Sequence, residues 1–121
     1  MLDSHASLLK LFLPEIVIEN FDIMGVIQDP ETFHFQLEER NNTPEEWGGI
    51  KVQSKGFFPE IQVQDFPIRG HKVFYHIKRR RWIDTESKKV MYRDWTLVKK
   101  GTRMTGEFAA FLKQISQYSP E

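Results

Sequence analysis

Six runs of aromatic and β-branched residues between residues 22 and 95 constrain the fold of this chain more than any other feature of its sequence. In TFHFQLEE, Phe33, Phe35 and Leu37 alternate with polar residues, which is the period of a strand with one dry face. The other runs are DIMGVIQ, KVQSKGFF, IQVQDFPI, HKVFYHIKRRRWI and KKVMYRDW. Pro, Gly and Asp separate the runs, so the pattern predicts strands joined by turns.

Helical patterns lie on both sides of these strands. Residues 4–13 carry an apolar stripe, and Pro14 suits the first turn of a second short helix, PEIVIENF. A single helical turn is expected between Pro44 and Trp47. A last helix is expected to begin at Thr105 and to pack on the sheet. Its apolar residues recur at steps of three and four, and they are Phe108, Phe111, Leu112 and Ile115.

Helices, then strands, then a helix predict an α+β fold with N-terminal helices, an antiparallel sheet with a long basic β-hairpin, and a C-terminal helix. The length suits a single domain, residues 1–121, in which residues 116–121 are expected to form a flexible tail. No apolar run approaches the roughly 20 residues of a membrane helix, and the start lacks the basic segment of a secretory signal. Cysteine is absent. We therefore expect a cytoplasmic protein with no membrane partner.

Charge is distributed unevenly along a chain whose formal net charge is zero. Residues 72–103 contain eleven Lys and Arg against three Asp and Glu, a balance of +8. Residues 1–70 contain five Lys and Arg against twelve Asp and Glu, a balance of −7. The sequence therefore predicts a basic hairpin on an otherwise acidic body.

The outer half of this hairpin concentrates the cations. In the run HKVFYHIKRRRWI, Lys78, Arg80 and Trp82 are expected to point to one side of the strand. Arg79 and Arg81 then point to the other side. Because an unpaired buried charge costs several kcal/mol, this half is expected to be wet or bound to an anion.

Nucleic acid is one partner that fits such a hairpin, because Lys and Arg neutralise phosphates and a two-stranded ribbon can enter a major groove. Trp82 can stack on bases or cover the sheet. Composition leaves two alternatives open: an acidic protein, including the acidic half of a second copy in a homo-oligomer, and a solvated hairpin that protects an edge strand. The residues expected to bind DNA are Lys78, Arg79, Arg80, Arg81, Trp82, Lys88, Lys89, Arg93, Lys99, Lys100 and Arg103.

Residues with catalytic or metal-binding chemistry are scattered. His34 and His76 lie in alternating strand patterns, which favours a structural role for both over a ligand or base role. The acidic pairs Glu38-Glu39 and Glu45-Glu46 are expected to face solvent. Motifs for a nucleophile, a phosphate loop or a zinc protease are missing from the sequence. We therefore expect no enzyme, no catalytic residues, no cofactor and no bound zinc.

The strings KGFFPEIQVQDFPIRGHKVFYHIKRRRWID and RDWTLVKKGTRMTGEFAAFLK resemble the N-terminal region protein that ISAon-type bacterial insertion sequences encode separately. The leader LLKLFLPEIVIENFDI and the acidic LEERNNTPEEW extend the resemblance over nearly the whole chain. It implies an accessory DNA-binding component of a transposition system, which binds transposon ends through the basic hairpin. Strand transfer would belong to a catalytic transposase encoded alongside. The alternative is a module that docks on that transposase without recognising DNA.

A wider similarity concerns transposase N-terminal domains that carry two Cys-x-x-Cys loops. The turn DFPIRG, which begins at Asp65, and the run Arg80-Arg81-Trp82 occupy positions shared with those domains. NNTPEEW and IDTESKKVMYRDW stand at the places of the two Cys pairs, but neither contains cysteine. The similarity implies a zinc-ribbon-like frame in which packing replaces the metal, and its candidate residues are Trp47, Trp82 and Trp95.

Overall fold

The computed structural model describes residues 13, 15–95 and 113–115. Their fold is mostly β, with seven strands arranged in two sheets, so the predicted α+β class is wrong. The strands are β1 (Phe21–Gln28), β2 (Thr32–Glu39), β3 (Val52–Phe57), β4 (Ile61–Ile68), β5 (His71–Lys78), β6 (Arg80–Asp84) and β7 (Val90–Met91).

Helical structure within the described residues consists of short pieces. Helix α1 (Glu15–Asn20) lies inside the helix predicted from Pro14 onward, but its six residues are too few to give the fold an α+β character. A turn of 3-10 helix at Glu45–Trp47 confirms the turn expected there. The predicted helix over residues 4–13 and the predicted tail over residues 116–121 lie outside the described residues. No helix in the described ranges has the length and apolar character needed to cross a membrane.

The larger sheet has four strands in the order β1–β2–β5–β4. The pairs β1/β2 and β4/β5 are antiparallel, whereas β2 and β5 run parallel, from Thr32↔Lys72 to Glu38↔Lys78. The sheet is therefore mixed, where the sequence predicted an antiparallel one. A parallel pair needs a long crossover connection. The segment between β2 and β5 provides it and sends β3 into the second sheet.

One face of this four-stranded sheet carries the main core. The alternation of β2 and β5 places every second residue on this face. Helix α1 packs there through Ile16 and Val17, and the ring of Trp95 stacks on Phe21 with 5.5 Å between the centroids. The buried strand residues of the core are Phe21, Phe35, Leu37, Ile61, Val63, Val73, Tyr75 and Ile77.

The turn between β1 and β2 is organised by the carboxylate of Asp29. Its Oδ1 accepts the backbone N–H groups of Glu31 and Thr32 at 2.8 and 2.7 Å, and its Oδ2 accepts the Thr32 hydroxyl at 2.6 Å. These hydrogen bonds, with that from the Thr32 hydroxyl as the largest cause, hold the pKa of Asp29 below its ordinary value. The turn that the Asp-Pro-Glu sequence predicted therefore forms through the Asp side chain.

The edge of the larger sheet at β4 is covered by the segment 113–115. The Gln64 N–H donates to Gln114 Oε1 at 2.7 Å, and Gln114 Nε2 donates to the Gln64 carbonyl oxygen. Ile115 is buried in the main core, which confirms the prediction that this residue packs on the sheet. The other residues predicted to pack there lie outside the described residues, and they are Phe108, Phe111 and Leu112.

The second sheet has three strands in the order β3–β6–β7. The run HKVFYHIKRRRWI does not form one long strand, because it breaks at Arg79 into β5 and β6, which belong to different sheets. The pairing of β5 with β4 extends to Ile77. Two residues further on, the Arg79 carbonyl accepts a hydrogen bond from the Phe58 N–H, which precedes β4, at 2.8 Å. The predicted long basic hairpin is therefore wrong. Only β6 and the two-residue β7 form a hairpin in this segment.

Replacing Phe35 with Ala tests the assignment of the two faces of the larger sheet. Phe35 is 3% exposed in the core, so we expect F35A to lower the free energy of unfolding by about 3–5 kcal/mol. Phe74 lies on the neighbouring strand and is only half-buried. We expect F74A to cost about 1 kcal/mol. Urea unfolding measures both losses, and equal losses would contradict the assignment.

Candidate nucleic-acid interface

The eleven residues that the sequence predicts to contact DNA fall into three sets. Lys99, Lys100 and Arg103 lie outside the described residues. The residues that lie inside or partly inside the fold are Arg79, Arg80, Trp82 and Arg93. Those that reach the surface are Lys78, Lys88 and Lys89, which are exposed, and Arg81, which is half-buried. The structure therefore separates a run that looks uniform in sequence.

Trp82 is enclosed by the second sheet and its neighbouring loop. Its side chain is 0% exposed, and its Nε1–H donates to Asn41 Oδ1 at 2.9 Å. The ring of Trp47 meets it edge to face, with 5.2 Å between centroids and 87° between planes. Trp82 therefore covers the sheet, and its indole is not available for stacking on a base.

The packing of the three Trp residues bears on the expected zinc-ribbon-like frame. Trp47 comes from NNTPEEW, at the place of the first Cys pair, and it packs against Trp82, which directly precedes the segment at the place of the second pair. Trp95 lies elsewhere, in the main core against Phe21. Among the described residues, no group of three or more His, Cys, Asp or Glu is arranged to hold a metal ion.

Glu39 joins the two sheets. Its side chain is 1% exposed, and its Oε1 accepts the Arg80 backbone N–H at 3.0 Å. Its Oε2 accepts Arg93 Nε–H at 3.0 Å, and its backbone carbonyl accepts Arg80 Nε–H at 3.0 Å. Arg80 continues to Ser54 Oγ on β3 at 2.6 Å, and Arg93 Nη2 donates to the Asn42 carbonyl at 2.5 Å. We call Glu39, Arg80 and Arg93 the Glu39 junction.

Burial dominates the electrostatics of this junction. Removal of the carboxylate from water raises the pKa of Glu39 above its ordinary value, although the bonds from Arg80 and Arg93 act in the opposite direction. Each of the two carboxylate oxygens nevertheless accepts a hydrogen bond. The sequence predicted that the outer half of the basic run is wet or bound to an anion, but the guanidinium of Arg80 instead donates to the Glu39 carbonyl and the Ser54 hydroxyl within the fold.

The prediction that Glu39 faces solvent is also wrong. The alternation of side chains along β2 could have indicated its burial. Phe35 and Leu37 occupy the inner face of β2, and Glu39 is the next residue in the same alternation. Arg79 extends the inner face of β5 in the same way, and its side chain is 6% exposed beside the Phe58 ring. Glu45 and Glu46, by contrast, are exposed as predicted.

Five of the cations that reach the surface gather on the second sheet. Arg81 and Ile83 are two residues apart on β6 and share a face, and Arg81 Nη1 lies 3.5 Å from the Lys55 carbonyl oxygen. Lys51 precedes β3, and its carbonyl accepts the Thr85 N–H and hydroxyl at 2.9 and 3.1 Å. The sequence interpretation did not include Lys51 and Lys55. Both lie two residues from Gln53, which pairs with Ile83, so they share the face of Arg81. We define the second-sheet cations as Lys51, Lys55, Arg81, Lys88 and Lys89.

Asp84 shapes the turn that presents two of these cations. Its Oδ1 accepts the N–H groups of Glu86 and Ser87 at 2.9 and 3.3 Å, and its backbone pairs with that of Lys88 and Lys89. The bond from Glu86 is the largest cause that lowers the pKa of Asp84. Lys88 has a φ of 66°, a left-handed conformation that a non-glycine residue adopts only in special turns. The carboxylate is thus directed to the turn backbone.

Lys78 belongs to a different surface. It ends β5 on the outer face of the larger sheet, in register with Glu38. Together with Glu38, Glu60 and His76 it lines a cavity of about 200 Å³. Two carboxylates beside Lys78 offset its charge, so this cation does not extend the second-sheet cations.

The Glu39 junction can be tested by two substitutions at its carboxylate. Glu39→Leu removes both acceptor oxygens and leaves Arg93 without its carboxylate, so we expect a loss of about 3–5 kcal/mol in the free energy of unfolding. Glu39→Gln keeps one acceptor oxygen and the side-chain shape, so its loss should be clearly smaller. Chemical denaturation measures both variants. Equal losses would show that the carboxylate bonds do not support the fold.

The pKa of Glu39 also predicts a dependence of stability on pH. The folded chain keeps the proton of this carboxyl to a higher pH than the unfolded chain does, because burial raises the pKa. In that interval the folded state binds more protons, so the free energy of unfolding falls as pH rises. Glu39→Gln cannot titrate and should lack this fall. Unfolding curves over a series of pH values measure the difference, and parallel profiles would contradict the direction.

Comparisons with protein-family models, with curated proteins and with solved structures find no match for this chain. The resemblance to the N-terminal region proteins of insertion sequences therefore stays an expectation from the sequence.

Proposed function

We propose that this protein binds duplex DNA through the second-sheet cations, as an accessory, non-catalytic component of a bacterial insertion-sequence transposition system in the cytoplasm. One observation supports this proposal above the others. Within the described residues, a three-stranded sheet gathers Lys51, Lys55, Arg81, Lys88 and Lys89, while Arg80 and Arg93 of the same basic segment are bound to Glu39. The second-sheet cations are therefore the ones available to bind phosphates.

The local charge favours an anionic ligand. The nearest carboxylates of the turn are Asp84 and Glu86, and Asp84 accepts hydrogen bonds from the backbone N–H groups of Glu86 and Ser87. Cations spread over strands and a turn neutralise successive phosphates and release their counterions on binding. Such contacts do not need base stacking, which agrees with the enclosure of Trp82.

The resemblance supplies the biological setting of the proposal. It implies that the DNA is a transposon end and that strand transfer belongs to the catalytic transposase encoded alongside. The residues that carry the resemblance around the basic segment are KRRRW and KGTRMT. In this proposal KRRRW contributes Arg81 to the DNA and uses Arg80 and Trp82 to build the sheet.

A second candidate function is docking on the catalytic transposase without DNA recognition. It is favoured by β1, an edge strand of the larger sheet on which Met24, Val26 and Ile27 are exposed at 59%, 45% and 59%. Exposed apolar side chains grouped in this way are typical of surfaces that contact another protein. The two candidates use different sheets, so substitutions can separate them.

Replacing all five second-sheet cations with Gln tests DNA binding. The logarithm of the association constant should fall linearly with the logarithm of salt concentration, and each lost phosphate contact should reduce that slope by about 0.9. The measurement is a titration of a duplex with the element's terminal repeat at several salt concentrations. Lys72→Gln is the control, because Lys72 is an exposed lysine on the other sheet.

The outcomes distinguish the two candidates. An unchanged affinity and slope in the five-fold variant would overturn the proposal, provided that its unfolding curve matches the wild type. A variant that keeps DNA but loses the transposase would make the second sheet a docking surface. Loss of transposase binding only on replacement of Met24 and Ile27 with Ser would support docking through β1.

A further inference from the structure

Two of the four histidines, which the sequence separates by 42 residues, meet on the outer face of the larger sheet. His34 on β2 and His76 on β5 approach to 2.8 Å between Nδ1 and Nε2. They meet because β2 and β5 pair in parallel with Gln36 opposite His76, so that His34 lies diagonally across. Phe74 stacks on the His34 ring, with 5.2 Å between centroids, and fixes its plane.

A carboxylate orients the second imidazole. Glu60 Oε2 lies 3.2 Å from His76 Nδ1, and the His76 side chain is 16% exposed. When Nδ1–H donates to this carboxylate, the lone pair of Nε2 points toward His34. A histidine that binds a metal typically donates its other ring N–H to a carboxylate in this way, which fixes the tautomer and makes the ligand more basic.

We propose that His34 Nδ1 and His76 Nε2 together bind a divalent ion of the late first-row transition metals, such as Zn²⁺, Ni²⁺ or Cu²⁺. Imidazole nitrogen suits these ions. Metal–nitrogen bonds of about 2.0–2.1 Å place two neighbouring ligands about 2.9–3.4 Å apart, so the two nitrogens need to separate by only a few tenths of an ångström, and the rings must also turn until both lone pairs point at one ion. His34 moves its proton to Nε2, which frees Nδ1 without a change of charge.

The remaining coordination positions belong to water. The cavity that His76 lines provides room for it, and on the cavity wall the charge of Glu38 is balanced by that of Lys78. This site has two protein ligands and is separate from the segments that resemble the Cys loops of a zinc ribbon. It also revises the expectation that no zinc is bound, which rested on histidines that are scattered in the sequence.

Metal titration of the full chain tests the proposal. Zn²⁺ or Ni²⁺ is added to the apo-protein while calorimetry records binding and ¹⁵N-detected spectra record the imidazole nitrogens. We expect one ion per chain and shifts at His34 Nδ1 and His76 Nε2. His34→Gln and His76→Gln should each abolish this binding. Glu60→Gln should weaken it by about 10- to 100-fold, because it removes only the orienting carboxylate.

His71→Gln is the matched control. His71 lies on the same sheet, but its Nδ1 is 3.2 Å from the Arg69 carbonyl and its ring stacks on Phe33. This variant should bind metal like the wild type. Binding that survives in both His34→Gln and His76→Gln would place the ion elsewhere and overturn the proposal. The absence of heat and of imidazole shifts in the wild type would leave a hydrogen-bonded histidine pair and would equally overturn it.

Discussion

A carboxylate that is 1% exposed must find its hydrogen-bond donors inside the protein, and Glu39, at the end of β2, finds them across the boundary between the two sheets. Arg80 is the first residue of β6 in the second sheet, and Arg93 follows β7, the last strand of that sheet. The cost of burying this charge is therefore offset in part by hydrogen bonds that form only when the two sheets are in place together. The Glu39 junction is the interaction on which the arrangement of the molecule depends.

The junction also decides what the basic segment can do. Arg80 uses its backbone N–H and its guanidinium within the fold, and Arg93 lies over the Trp95 ring with 5.7 Å to the centroid. These groups therefore join the second sheet to the main core. Arg81, one residue further along β6, is left at the surface. A difference of one residue thus separates a structural cation from one that can meet a phosphate.

The outer face of the larger sheet has a different chemistry from the second sheet. The parallel pairing of β2 and β5 brings His34 beside His76, and Glu60 adds its carboxylate to the pair. The second sheet instead presents the amines of Lys51, Lys55, Lys88 and Lys89 and the half-buried guanidinium of Arg81. One short chain can therefore present a basic surface and an imidazole pair without mixing them, because the two sheets hold them apart.

The sequence by itself determined several of the strands and turns, although not the break between β5 and β6. The runs TFHFQLEE and IQVQDFPI match β2 and β4, because the alternation of side chains and the turn residues are local properties. It did not determine the parallel pairing of β2 with β5. Backbone N–H and C=O groups are alike in every strand, so they do not specify which strand pairs with which. It also could not show which charges lie inside. The partners of Glu39 are 41 and 54 residues away, so only the tertiary structure decided that this acid is buried and that two of the arginines bind it.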